Sequence, residues 1–295
     1  MLAALAAGAI GLGACGVGAT GTPSAGEGGR VSVVAAENFY GNIAQQIGGT
    51  HVNVTSVLSD PNADPHLFQA NTTTAAEVAE AEVVIENGVH YDDWMDRMIA
   101  ASPNPARRVV RMADVLGVSG ADANPHLWYD VPRLPQIASA IADALSAADP
   151  AHEASYRAGA AAFVASLEPL DDAVAGIKSK YGGTKVAYTE PVPGYLLEAA
   201  GLINETPEGF SKAIEEGTDP TPQSVAETNA LLTGKQVRVL LYNAQAASPT
   251  TDQLRQLAGE NGIPVVPVTE TLPSGTSFQA WQLGQVQALE AALRG

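Results

Sequence analysis

The chain has 295 residues, 46% hydrophobic and 16% charged, which is enough to bury two cores of ordinary domain size. Its 32 acidic residues against 15 basic ones leave a formal charge of −17. That excess argues against nucleic acid and anionic lipid as partners, since both are polyanions, and favours cations.

The opening MLAALAAGAIGLGACGVG is an apolar run that ends in Leu12-Gly13-Ala14-Cys15, small residues ahead of the one cysteine in the chain. It resembles a bacterial lipoprotein signal, in which Cys15 carries the lipid and becomes the first residue of the mature chain. The run is too short to span a bilayer, and the GTPSAGEGG that follows reads as a flexible tether. Residues 1–30 are therefore assigned to signal and tether. With Cys15 committed to lipid, any metal site must use nitrogen and oxygen ligands.

From Val31 onward short β-branched runs alternate with helical stretches, the pattern of strand–helix units in a parallel sheet. Strands are expected at 31–36, 52–58, 82–87 and 108–113, with helices at 40–48 and 73–80, and these make an N-terminal α/β lobe over 31–132. Residues 133–183 are rich in Ala, Leu, Glu and Lys at helical spacing. Asp149-Pro150 divides them into a shorter and a longer helix, Pro169 should kink or break the longer one, and Gly182-Gly183 ends it. A second series gives strands at 185–190, 237–243 and 264–270 and helices at 194–200, 222–232 and 249–261, making a C-terminal α/β lobe over 184–295. The expected fold is α/β, with two lobes that each contain a parallel sheet flanked by helices, joined by a long backbone helix.

Two of the five histidines occupy nearly the same setting, ADPHLF at 63–68 and ANPHLW at 123–128. The residue before each proline is pushed away from helix, so His66 and His126 are each delivered from a stiffened loop. Ligands of open parallel sheets bind beyond the carboxyl ends of the strands. His66 and His126 follow strands of the first lobe, while Glu190 and Glu270 close strands of the second. Two imidazoles and two carboxylates converging across a cleft would form a shell for a divalent first-row metal. His90, near Asp92, Asp93 and Asp96, reads as a residue on the first turn of a helix whose acids complement the helix N-terminus. His51 is expected to be exposed and His152 to lie on a solvated face, while Trp94, Trp128 and Trp281 are expected to be packing residues, with Trp128 screening His126 from water.

The segments AAENFYGNIAQQIGG, VLSDPNADPHLFQANTTTAAEVAEAEVVIENG, NPHLWYD and EPVPGYLLEAAGL resemble the metal-binding solute-binding lipoproteins of ABC importers, the zinc and manganese receptor family also called cluster A-I. The resemblance runs from about Val31 to the C-terminus and keeps the motifs in family order. It implies two α/β lobes joined by a backbone helix, with the metal held between them by His66, His126, Glu190 and Glu270. It implies an ABC permease as partner, a lipid-anchored protein on the outer face of the cytoplasmic membrane or in the periplasm, and a monomer with no enzymatic activity. The cargo is a divalent transition metal. Two carboxylates beside two imidazoles favour manganese, with zinc a close second because affinity rises along the Irving–Williams series. The competing readings are a metallohydrolase using the same cluster and a surface adhesin. The chain has no HExxH signature, and neither lobe's first strand leads into a glycine-rich phosphate loop.

Overall fold

The computed structural model describes residues 29–60, 68 and 71–295. His66 and Cys15 lie outside the described residues. Among the described residues no helix is long and apolar enough to cross a membrane.

The first lobe is a parallel sheet built from β1 (Val31–Glu37), β2 (Val52–Leu58), β3 (Val83–Glu86) and β4 (Arg108–Arg111), in the order β2-β1-β3-β4. Val33 pairs with Val54 on one side and Val83 on the other, so β1 is central and nearly every residue of it is buried. That is why it reads as an unbroken run of β-branched and small residues without polar alternation. Helices α1 (Asn38–Gly48), α2 (Thr72–Glu80) and α3 (Asp93–Ala101) connect the strands, and α4 (Met112–Leu116) follows β4. The Asn71 side chain caps α2 by accepting from the Thr73 and Thr74 amides, as expected of a polar residue at the start of a helix.

Helices α5 (Leu134–Ala148), α6 (Glu153–Ala165) and α7 (Glu168–Tyr181) lie between the lobes in sequence. The break after α5 falls at Asp149-Pro150. The longer helix breaks at Ser166-Leu167, which leaves Pro169 in the first turn of α7, where its missing N–H has no partner to lose. The second lobe follows with β5 (Lys185–Tyr188), α8 (Gly194–Ala199), β6 (Ile203–Asn204), α9 (Glu208–Glu215), α10 (Pro222–Thr233), β7 (Leu240–Asn243), α11 (Pro249–Glu260), β8 (Val265–Val268) and α12 (Phe278–Arg294). Its parallel strands run in the order β6-β5-β7-β8, the same winding as the first sheet. In both sheets the winding reverses beside the lobe's first strand, so the switch points lie at β1/β3 and β5/β7, where ligands of such sheets bind.

One apolar cluster runs through both lobes, from Val33 and Phe39 through Trp128 and Leu134 to Val268 and Trp281. Phe39 stacks on Trp128 with centroids 4.1 Å apart, and the three tryptophans Trp94, Trp128 and Trp281 are all buried, as expected. Polar contacts join the lobes as well. The Asn38 side chain donates to the Leu272 carbonyl at 2.8 Å and accepts from its amide at 2.9 Å, and Tyr129 donates to the Thr269 carbonyl at 2.6 Å.

The surface histidines differ from expectation. His51 is half-buried and stacks on His152 with centroids 3.8 Å apart, because the α1–β2 connection packs against the turn between α5 and α6. His152 is not a free surface residue either, since its Nδ1 lies 2.6 Å from Asp149 Oδ2. His90 precedes α3 instead of lying in it. It belongs to a run of three left-handed residues, with φ of 80° at Gly88, 53° at Val89 and 61° at His90. Asp92 is buried and accepts from the Asn87 and Gly88 amides at 2.6 and 2.7 Å, which ties this turn shut.

Three carboxyl groups are buried at the switch point of the first sheet: Glu37 at the end of β1, Glu86 at the end of β3, and Asp92. Burial pushes the Glu86 carboxyl up to about 8, helped by the charge of Asp92 and opposed by Arg111, whose guanidinium lies 3.0 Å away. Burial also raises Asp92 to about 6 against the pull of its two backbone hydrogen bonds, and it holds the Glu37 carboxyl well above its ordinary range, with Asp92 adding to the effect. These groups hold their protons in the folded state at pH values where an unfolded chain has released them.

Two outcomes follow. A Cβ at Gly159 of α6 would stand 2.3 Å from the Ile47 carbonyl oxygen of α1, so Gly159→Ala should force the two helices apart at a cost of about 1–3 kcal/mol, read as a lower midpoint in denaturant melts. A group whose folded pKa is raised contributes stability that is lost as pH rises toward that pKa. Wild-type stability should therefore fall as pH rises from the ordinary Glu value of 4.5 up to the folded value of about 8 for Glu86, and Glu86→Gln should flatten that fall in denaturant midpoints taken across the window.

Candidate metal centre

His126 leaves Pro125 in the loop ahead of α5 and is fully buried. Its ring is fixed by Asn124, whose Oδ1 lies 2.7 Å from Nδ1 and also accepts the His126 amide at 3.0 Å. Asn124 cannot be turned the other way, because its Nδ2 donates across the cleft to the Pro191 carbonyl at 2.8 Å. A carboxamide oxygen only accepts, so Nδ1 of His126 carries a proton, and in the neutral ring the lone pair is then on Nε2. Gly194 makes room for this arrangement, since a Cβ there would stand 2.6 Å from Asn124 Nδ2.

Nε2 of His126 faces the second lobe, 3.4 Å from Glu270 Oε2. Glu270 lies two residues past β8 and is fully buried; Glu190, two residues past β5, is 1% exposed. Between the two carboxylates sits Asn243, the last residue of β7, whose Nδ2 donates to Glu190 Oε2 and, at 2.7 Å, to Glu270 Oε1. Gln245 Oε1 accepts the Glu270 amide at 2.5 Å and the Thr271 amide at 3.2 Å, which fixes the backbone that carries Glu270. From the first lobe, Tyr91 donates to Glu270 Oε2 at 3.0 Å, and burial, followed by the Glu270 charge, holds its phenol in the neutral form. Trp128 meets His126 edge to face at 5.3 Å and covers it from behind.

Three of the four sequence-predicted residues, His126, Glu190 and Glu270, are thus brought to the facing edges of the two sheets. His66 lies outside the described residues. Among the described residues no group of three or more histidine, cysteine, aspartate or glutamate side chains is placed so that it could hold a metal ion. With the ring neutral, an imidazole lone pair and a carboxylate oxygen face each other as two acceptors, an arrangement that a cation stabilises. Their separation of 3.4 Å suits neighbouring ligands on one ion, since corners of a tetrahedron about 2.1 Å from a metal stand about 3.4 Å apart.

A cleft of about 550 Å³ opens beside this group, lined by Tyr91, Asn124, Tyr188, Pro191, Lys212 and Glu215 among others. Glu215 of α9 brings Oε1 to 3.9 Å from His126 Nδ1, and Lys212 of the same helix pairs with Asp122 of the first lobe across the mouth. Sequence reasoning missed α9, Tyr91 and Asn243. Asn243 could have been found by the strand-end criterion that found Glu190, because it closes the run VRVLLYN; the search for ionisable ligands passed over an amide.

A model of the family described as zinc-uptake complex component A, periplasmic, matches residues 33–292. The manganese-binding lipoprotein MntA of Bacillus subtilis is 25% identical over 82% of this chain and 80% of its own length. Among solved structures, the periplasmic zinc-binding protein TroA of Treponema pallidum superposes with a TM-score of 0.77 at 18% identity, covering 90% of this chain and 99% of that one. FpvC of Pseudomonas aeruginosa, solved with Mn2+, superposes with a TM-score of 0.75 at 19% identity over 90% of this chain and 98% of that one. The two-lobed α/β fold is therefore shared with known metal-binding receptors, and the family is one of transport receptors, not of hydrolases. The chain belongs to the zinc-uptake complex component A family of periplasmic metal receptors.

Proposed function

We propose that this protein is the extracytoplasmic receptor of an ABC importer, capturing one divalent transition metal ion between its lobes and delivering it to a membrane permease. The single observation that carries the site assignment is the approach of His126 Nε2 from one lobe to Glu270 Oε2 from the other at 3.4 Å, both buried and both electron-pair donors toward a common point. Glu190 stands beside them through the shared Asn243 amide, and the duplicated proline-histidine setting supplies His66 as fourth ligand. The names of MntA, TroA and FpvC support manganese and zinc as cargo. Two carboxylates beside two imidazoles favour manganese in the cell, with zinc binding at least as tightly in isolation.

Lipid on Cys15 would hold the receptor at the membrane, with the segment up to residue 30 as its tether. The lobes would divide at 31–132 and 184–295, with the intervening helices as a stiff connector, and the receptor would act as a monomer. Contact with the permease would draw the lobes apart and split the ligand set, since each lobe holds two of the four groups.

Metal-dependent thermal shifts and elemental analysis of protein from its own cell envelope test the assignment. Wild type should carry about one metal per chain, and His126→Ala, Glu190→Ala and Glu270→Ala should each lose most of it. Undiminished metal in Glu190→Ala would remove that residue from the set. Ligands must be deprotonated to bind, so affinity should weaken as pH falls through the imidazole range, measurable by titration at pH 7.5 and at about pH 5.5.

A further inference from the structure

We infer that Asn243 is a positioning residue that limits each second-lobe carboxylate to one oxygen toward the ion, and so helps set which metal the receptor prefers. This rests on the reading of Glu190 and Glu270 as ligands. Asn243 is 1% exposed and locked on three sides. Its amide donates to Thr189 Oγ1 at 2.9 Å, and its Oδ1 accepts the Gln245 amide at 3.0 Å. That second bond decides which end of the carboxamide faces which way. A backbone N–H can be met only by the oxygen, so the NH₂ group points at the carboxylates.

An NH₂ group has two hydrogens. One goes to Oε2 of Glu190 and the other to Oε1 of Glu270. The oxygen of Glu270 that faces His126 is the opposite one, Oε2. For Glu270 to chelate an ion through both oxygens, Oε1 would have to turn away from the amide and leave a buried N–H without an acceptor. The same holds for Oε2 of Glu190. The amide therefore raises the cost of bidentate binding for both residues at once, and it does so from the strand end, where the Thr189 and Gln245 bonds prevent it from following a moving carboxylate.

Coordination number is where zinc and manganese differ most. Zinc is satisfied by four donors, whereas manganese suits larger, oxygen-rich shells. A clamp that holds two carboxylates to one oxygen apiece shifts the balance toward the ion that needs fewer ligands. It narrows the advantage that two carboxylates would otherwise give manganese, and it keeps the shell easy to open.

The test uses the full chain stripped of metal, with Zn2+, Mn2+ and Co2+ as probes, in wild type, Asn243→Ala and Asn243→Ser. Serine has one hydrogen to donate and can hold only one carboxylate, so it carries the test if the alanine variant does not fold. The expected result for alanine is a loss of zinc affinity of about 10–100-fold, the usual effect of removing a group that orients a ligand. The manganese loss should be smaller, so that the zinc-to-manganese ratio falls at least about tenfold. The visible absorption of the Co2+ form should weaken as its coordination number rises, with serine between the two. An unchanged Co2+ spectrum together with equal losses for both metals would overturn the inference and leave Asn243 a support of the fold. Glu190→Ala and Glu270→Ala serve as controls. If they keep full binding, the ligand reading fails and takes this inference with it; if they lose metal while Asn243→Ala matches wild type, only the inference fails.

Discussion

Two carboxylates withdrawn from water are the constraint around which the second lobe is arranged. Moving an ionised carboxylate into a protein interior is costly unless hydrogen bonds or a counter-charge offset the loss of hydration. Glu190 and Glu270 are almost fully buried, and residues from two other strand ends, one in each lobe, help to hold them. Asn243 from β7 places one amide between the pair, Gln245 fixes the backbone under Glu270, and Tyr91 reaches over from the other lobe.

The lobes are two copies of one winding, and the site lies where their reversal points face each other. Their separation is limited by what they share. An apolar cluster passes through both, and hydrogen bonds from Asn38 and Tyr129 reach the segment around Glu270. A receptor built this way offers less swing than one hinged on free strands. The connector helices add to this, since α6 packs on α1 of the first lobe and α7 on α12 of the second.

Most of the fold is legible because buried parallel strands advertise themselves as β-branched runs, and every strand apart from β6 falls where those runs occur. The two-residue strand Ile203–Asn204 is too short to carry a pattern, and α9 is only eight residues long. At the site, repetition of the proline-histidine setting and carboxylates at strand ends led to His126, Glu190 and Glu270. His90 was misplaced because three left-handed residues in a row cannot be inferred from a sequence in which only the first is glycine. Asn243 and Tyr91 were passed over since neither is an ion-binding type, and their importance comes from neighbours distant in the chain.

The turn at Gly88, Val89 and His90 has a bearing on how much of the molecule can be assembled piecemeal. A β-branched residue held at positive φ costs about 1–3 kcal/mol, and the contacts that sustain it come from two sources. Asp92 clasps the turn locally, while Tyr91, the next residue, is anchored on Glu270 far along the chain. The first half of the protein does not contain that anchor. The finished shape of its cleft-facing loop is completed only when the second half has folded against it.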